Sequence, residues 1–271
     1  MTAMTLVCQA QPTRQQVGPQ AMPEVIATIQ APFEMPQLQR PTFPQRKVVV
    51  KMAKKGLSTT QIQQTIEQMA AKGGGMVVIP AGDWLTGRIT LRSNINLHLD
   101  KGCRLHFSGR IADYQPAVFT RDEGIEIYSL GSFIYANGER NIAITGGGEI
   151  IGPSTDCEMY QRNIANALDI ERLIGDKPLE VRQYDGINTK EVFLPKTIAP
   201  INCTNVLIEG VTLTQGLYWN VVPQYCDSVI IRGVIVNSFG HGRTDGIDVG
   251  APGRSFLTTR LFQITTLLST T

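Results

Sequence analysis

No apolar run in the 271-residue chain is long enough to cross a bilayer as a helix. Its charges nearly cancel, 25 Lys and Arg against 23 Asp and Glu, so no strong attraction to nucleic acid or to a membrane surface follows. An acidic substrate is neither favoured nor excluded by that balance. The five cysteines, Cys8, Cys103, Cys157, Cys203 and Cys226, form no C-x-x-C pair and no evident disulfide framework. There is no acidic cluster of the kind that ligates calcium, and no metal or cofactor is expected. Basic residues are missing from Met1–Ala10, so this apolar start reads either as the tail of a secretory signal or as a disordered terminus. Cys8 is disfavoured as a lipoprotein cysteine, because Val7 is bulkier than the small residue usual there.

What is present fits a globular domain. Apolar residues make up 42% of the chain, mean hydropathy is −0.05, and 26 glycines suit a fold with many tight turns. The length allows one large domain or two small ones. Seven prolines between Pro12 and Pro44 mark a Pro- and Gln-rich segment, expected to be extended or disordered and able to lie along the domain.

The most informative feature is a repeat. Asn205–Leu213 (NVLIEGVTL) returns as Ser228–Val236 (SVIIRGVIV) at an offset of 23, position for position. Two short apolar runs separated by one Gly, returning at a fixed interval, are the mark of strands stacked coil upon coil. Asn141–Ile144 carries the same unit as Asn205–Ile208. Cys203 and Cys226 occupy equivalent repeat positions, where buried free thiols are favoured over a disulfide.

Strand patterning starts at Lys47–Val50 and resumes from Met76 with a period of two. In Asn94–Asp100, Ile95, Leu97 and Leu99 point one way while Asn96 and His98 point the other. His98 and His106 read as surface residues. Between these strands one helix is expected over 58–72, with Ser58 and Gln61 as a capping box and Ile62, Ile66, Met69 and Ala70 on one face. Its expected job is to cover the open end of the stack. Residues 152–198 are less periodic and read as an insertion between coils, of the length that often shapes a cleft.

In this order, Gly73–Gly87, Leu91–Gly102, Tyr135–Gly138, Ile144–Gly146, Gly152–Pro153, Asn205–Thr212 and Thr244–Asp248 resemble the corresponding segments of glycoside hydrolase family 28, the polygalacturonases. The resemblance covers roughly residues 45–249, the N-terminal portion of such an enzyme. It implies an all-β fold, a right-handed parallel β-helix of the pectin-lyase-like kind, with the N-terminal helix as its cap. It also implies a secreted or periplasmic monomer that hydrolyses α-linked galacturonic acid in pectin. The expected division is 1–46 as signal remnant and extended segment, 47–249 as the β-helix, and 250–271 as an atypical tail.

Glycoside hydrolysis with inversion needs two carboxyl groups roughly 6.5–9.5 Å apart, one to protonate the leaving oxygen and one to activate water. Stacked coils stand about 4.8 Å apart, so acids on neighbouring coils converge on one groove. The family shares an Asn-Thr-Asp, an Asp-Asp on the next coil, then a Gly-His-Gly and an Arg-x-Lys. By that resemblance Asp245 matches the first Asp and is the candidate catalytic residue. Its plain alternative is a turn residue before Gly246. Arg243 replaces the family's Asn and remains suited to a bidentate contact with a uronate. His241, in Gly240–Gly242, precedes Asp245 rather than following an Asp-Asp pair, so it is expected as a loop histidine near the groove and not as the family's motif.

Asp248 lies three residues from Asp245, which on a regular strand places it on the opposite side unless a turn intervenes; it is expected as a structural or rim residue. Residues 250–271 contain no Asp or Glu and lose the repeat unit. The expectation is therefore a chain truncated or frame-shifted near Val249, lacking its general acid and inactive. Two rivals remain: a non-catalytic carbohydrate-binding β-helix, and a polysaccharide lyase on the same fold, ranked lower for want of acidic calcium ligands.

Overall fold

The computed structural model describes residues 38–166, 170–238 and 241–250 and the strand Phe262–Leu268. The expectations for Met1–Ala10, for most of the Pro- and Gln-rich segment and for much of the tail after 250 lie outside the described residues.

The chain winds into a right-handed parallel β-helix. β1 (Lys47–Val49) pairs on the outer edge of the first coil, and α1 (Thr59–Ala71) follows it. The first coil is then β2 (Gly75–Ile79), β3 (Gly82–Thr86) and β4 (Ile89–Thr90), one strand for each of three faces. The second begins with β5 (Ile95–Leu99) and β6 (Cys103–Phe107). It then departs into an antiparallel hairpin, β7 (Val118–Asp122) and β8 (Ile125–Ser129), and returns as β9 (Ser132–Asn137). The third has β10 (Arg140–Gly146) and β11 (Glu149–Ile151). It departs again into α2 (Glu158–Ala165) and α3 (Ile170–Leu173) before β12 (Lys196–Ile201). The fourth has β13 (Thr204–Glu209), β14 (Thr212–Thr214) and a short third-face segment around Val221. In the fifth, one long strand, β15 (Asp227–Asn237), serves two faces, and Ile247 reaches the third.

Each face carries one apolar ladder. Val77, Leu97, Ile144, Ile208 and Ile231 stack in register on the first, and all are buried. Trp84, Leu105, Ile150, Leu213 and Val236 do the same on the second. Ile89, Ile134, Ile198, Val221 and Ile247 make the third. Burying each such side chain stabilises the fold by roughly 1.5–3 kcal/mol, and identical strand spacing lets every one meet its neighbours above and below.

The repeat in the sequence has a specific cause at the entrance to the first face. Asn94, Asn141, Asn205 and Ser228 all have positive φ, at 63°, 52°, 61° and 56°. They are equivalent positions of successive coils, where the chain turns a corner through the left-handed region that Asn tolerates better than most residues. Asn141 Nδ2 donates to Asn94 Oδ1 at 3.1 Å, and Asn205 Nδ2 donates to Asn141 Oδ1.

The helix covers the first coil as expected, burying Ile62, Ile66 and Met69. The capping box does not form. Ser58 sits at φ −89°, ψ 11°, outside the extended region a capping side chain needs, and its hydroxyl instead accepts from Ala53 N at 3.1 Å. Leu38 and Phe43 pack against Ala143, Leu207 and Ile230, so the described end of the Pro-rich segment does lie along the first face.

Cys203 and Cys226 fall on adjacent coils as buried free thiols. At the other end, β16 (Phe262–Leu268) runs parallel to β15, with Val229 opposite Phe262 and Val236 opposite Leu268. The tail therefore adds a further strand to the stack, although the Asn-apolar unit is absent from it: backbone pairing needs register and extended φ/ψ, not that unit.

Asn141→Ala removes two ladder hydrogen bonds and puts alanine in the left-handed region. It is expected to lower stability by about 2–4 kcal/mol, read as a shift in the urea midpoint at constant m-value.

Candidate functional site

Both large departures from the stack, residues 108–131 and 152–195, leave from the same corner, between the second and third faces. The hairpin and the helical insertion share a small core of their own, Ile127, Leu173, Ile174, Tyr184 and Phe193. The fifth coil leaves its second face at Ser238 and reaches its third at Ile247, so the expected site residues at 241–245 emerge beside both insertions.

A buried asparagine sets their path. Asn220 is fully buried, and its Nδ2 donates to the carbonyls of Thr244 at 3.1 Å and Asp245 at 3.0 Å. Its Oδ1 accepts from Ser238 Oγ at 2.9 Å, and its backbone N–H donates to Asp245 O at 2.9 Å. The chain then bends at Gly246, and Asp248 N donates to Val221 O at 2.9 Å.

Asp245 is exposed, and counted back along the third-face ladder it falls level with Trp219 and Lys196. Arg243 adopts φ 66°, in the left-handed region that Asn tolerates better than Arg. Its guanidinium lies 3.5 Å from Glu123 at the hairpin tip, an exposed pair that holds it weakly. His241 has one ring nitrogen 2.9 Å from Gly242 O and the other 3.2 Å from Gly216 O, with its ring edge-on to Tyr160 at 5.2 Å.

The bend at Gly246 is the intervening turn that the expectation for Asp248 allowed. Asp248 is half-buried, and desolvation, followed by the negative charge of Asp245, pushes its carboxyl up to about 6. The bend at Gly246 interrupts the period of two between the two acids.

Two cavities adjoin these residues. One, of about 450 Å³, is lined by His241, Arg243, Tyr218, Asp122, Tyr160 and Asn163 among others. The other, of about 260 Å³, is lined by Arg121, Glu123, Trp219, Gln224 and Asp248 among others. Asp245 lines neither. Glu123, 3.4 Å from Tyr218 Oη and 3.5 Å from Arg243, stands between them.

The hairpin is pinned to the third face by a pair that sequence reasoning missed. Lys196, 1% exposed, donates from Nζ to Asp122 Oδ1 at 2.7 Å and to Arg121 O at 2.9 Å. It also lies 5.2 Å from the ring centre of Tyr218. Gln224 Nε2 reaches the same Arg121 carbonyl at 2.9 Å. Nothing local in the sequence flags a contact between positions so far apart. Asn220 was also missed; its place one coil before the motif was the available signal.

No protein-family model matches the chain. A "Probable polygalacturonase" of Vitis vinifera is 25% identical over 202 residues, 71% of this chain and 36% of that protein. The exo-poly-alpha-D-galacturonosidase of Dickeya chrysanthemi is 24% identical over 216 residues, again 36% of its length. The solved exopolygalacturonase of Thermotoga maritima superposes with a TM-score of 0.69 at 28% identity, over 78% of this chain and 50% of that one. The chain is polygalacturonase-like. It spans 36% of the length of each of the two curated relatives it matches.

Two predictions follow from this corner of the polygalacturonase-like fold. Lys196→Met strands the buried Asp122 and is expected to cost about 3–5 kcal/mol in urea unfolding, with much of it regained when Asp122 is also made leucine. For Asp248, whose folded value of about 6 lies above the ordinary 3.8, the folded state holds the proton more tightly. That stabilisation is complete below the ordinary value and is lost as pH rises through about 6. Asp248→Asn should therefore raise Tm near neutral pH and leave it almost unchanged near pH 4, the value at which the ordinary carboxyl titrates.

Proposed function

We propose that this chain is part of a secreted or periplasmic glycoside hydrolase that cleaves α-linked galacturonic acid in pectic polysaccharide with inversion. The observation that carries the reading is the position of Thr244–Asp248, on the third face, at the corner from which both insertions rise. Asp245 is proposed as one of the two carboxyl groups of the acid/base pair, exposed to substrate and held by Asn220 through its backbone. Arg243 and His241, which wall the larger cavity, are proposed to hold the sugar, with Arg243 on the uronate carboxylate.

By itself the chain is proposed to bind without turnover. No Asp or Glu follows Asp248, and β16, which stacks on the preceding coil, brings none. A non-catalytic carbohydrate-binding role is favoured by that same observation.

The test is an assay of reducing ends on polygalacturonate together with calorimetric binding of galacturonate oligomers. No release above background is expected, with binding weakened roughly tenfold or more by Arg243→Ala, the loss of one charge-assisted contact. Turnover abolished by Asp245→Asn would overturn the inactivity, and absence of oligomer binding would overturn the substrate.

A further inference from the structure

Among the described residues, the buried side-chain atoms left without a hydrogen-bond partner include Arg121 Nε, Gln224 Oε1 and Asp248 Oδ2. All three residues line the smaller cavity, of about 260 Å³. Gln224 is 2% exposed, and its amide nitrogen is already committed to Arg121 O, so its oxygen is fixed in place rather than free to turn toward water. Unmatched buried polar atoms are costly, and all three belong to residues that line one cavity, so small side-chain shifts toward a ligand there would supply what they lack.

The chemistry of that ligand follows from the set. Two acceptors and one donor are matched by hydroxyl groups, which both give and take hydrogen bonds. Half-buried Trp219, stacked on Tyr218 with ring centres 5.0 Å apart, adds a flat apolar wall of the kind a pyranose face packs against.

Charge then narrows the class of sugar. Glu123 and Asp248 line the cavity, and the negative charge of Asp245 reaches Asp248. Against them stand Arg121, whose guanidinium lies over the Tyr225 ring at 5.6 Å, and Arg243, which meets Glu123 but lines the other cavity. Lys196, 6.0 Å from the Trp219 ring centre, is bonded to Asp122. Three carboxylates against two guanidiniums leave a field that repels a further carboxylate. Desolvation first, and then the charge of Asp245, raise the Asp248 carboxyl.

We propose that the cavity between Trp219, Gln224 and Asp248 binds an uncharged pyranose, either a neutral sugar or a methyl-esterified uronate, beside the uronate site at Arg243 and His241. This rests on the pectic reading of the larger cavity and specifies the substrate further: a pectic chain in which a charged ring adjoins an uncharged one.

Trp219 supplies the readout, since Trp84 is buried in the core. Fluorescence of the full chain is titrated at about pH 7.5, above the shifted Asp248 value, with three oligosaccharides of equal length. These are a fully de-esterified oligogalacturonate, a partly methyl-esterified one, and an oligomer alternating uronate with neutral sugar. At least one of the two ligands bearing uncharged rings should bind roughly tenfold more tightly than the de-esterified one, and which of them does so names the source. Asp248→Asn should shrink that ratio to about threefold or less by improving the charged ligand, and Arg243→Ala should weaken all three. Equal or tighter binding of the de-esterified oligomer, or a ratio unmoved by Asp248→Asn, overturns the proposal and leaves the pectic reading standing. Binding of none of the three overturns both.

Discussion

Register between coils is the constraint on which everything else rests. Each strand hydrogen-bonds to its equivalent one turn earlier, so a residue's neighbours above and below are decided by a single alignment. The ladder from Val77 to Ile231 is the clearest case: slipping one coil by one residue would turn every apolar side chain outward and bring polar ones in. The asparagines at 94, 141 and 205 reinforce that alignment, because their side chains bond to one another only when the corners coincide.

A stack so regular can depart from itself without losing its core, provided each departure begins and ends at a corner. Two long insertions do so at the same corner and then pack on one another through Ile127, Tyr184 and Phe193. The buried Lys196–Asp122 pair ties the hairpin to the third face in one orientation, since the desolvated lysine must keep its anionic partner and its carbonyl. That contact places Glu123 between the two cavities. The stack thus provides a rigid floor whose chemistry differs on either side of the hairpin: Arg243 and His241 on one, Asp248 and Gln224 on the other.

The bend at Gly246 shows how far strand logic extends. Periodicity of two separates Asp245 from Asp248 wherever the chain is straight, and the argument fails where it bends, as it does at Gly246. Asn220 determines that turn, by holding the backbone of Thr244 and Asp245 from the coil beneath.

The stacked architecture was legible in the residues because Val206 and Val229 belong to neighbouring coils with no insertion between them, so the offset of 23 survives in the chain. The helix over Ile62, Ile66 and Met69, the strand alternation and the insertion after Gly152 were legible for the same reason: each depends on neighbours close in sequence. Asp245 could be named from its match to the family's first Asp and Arg243 from its place in the same segment, whereas His241 was expected only as a loop histidine near the groove. Tertiary structure alone decided that Asp248 feels Asp245, that Lys196 is buried against Asp122, and that Arg121, Gln224 and Asp248 meet at one cavity. The first depends on a bend in the backbone and the other two join positions separated by whole coils, and their energies come from burial and charge at short range, which a linear order of residues does not contain.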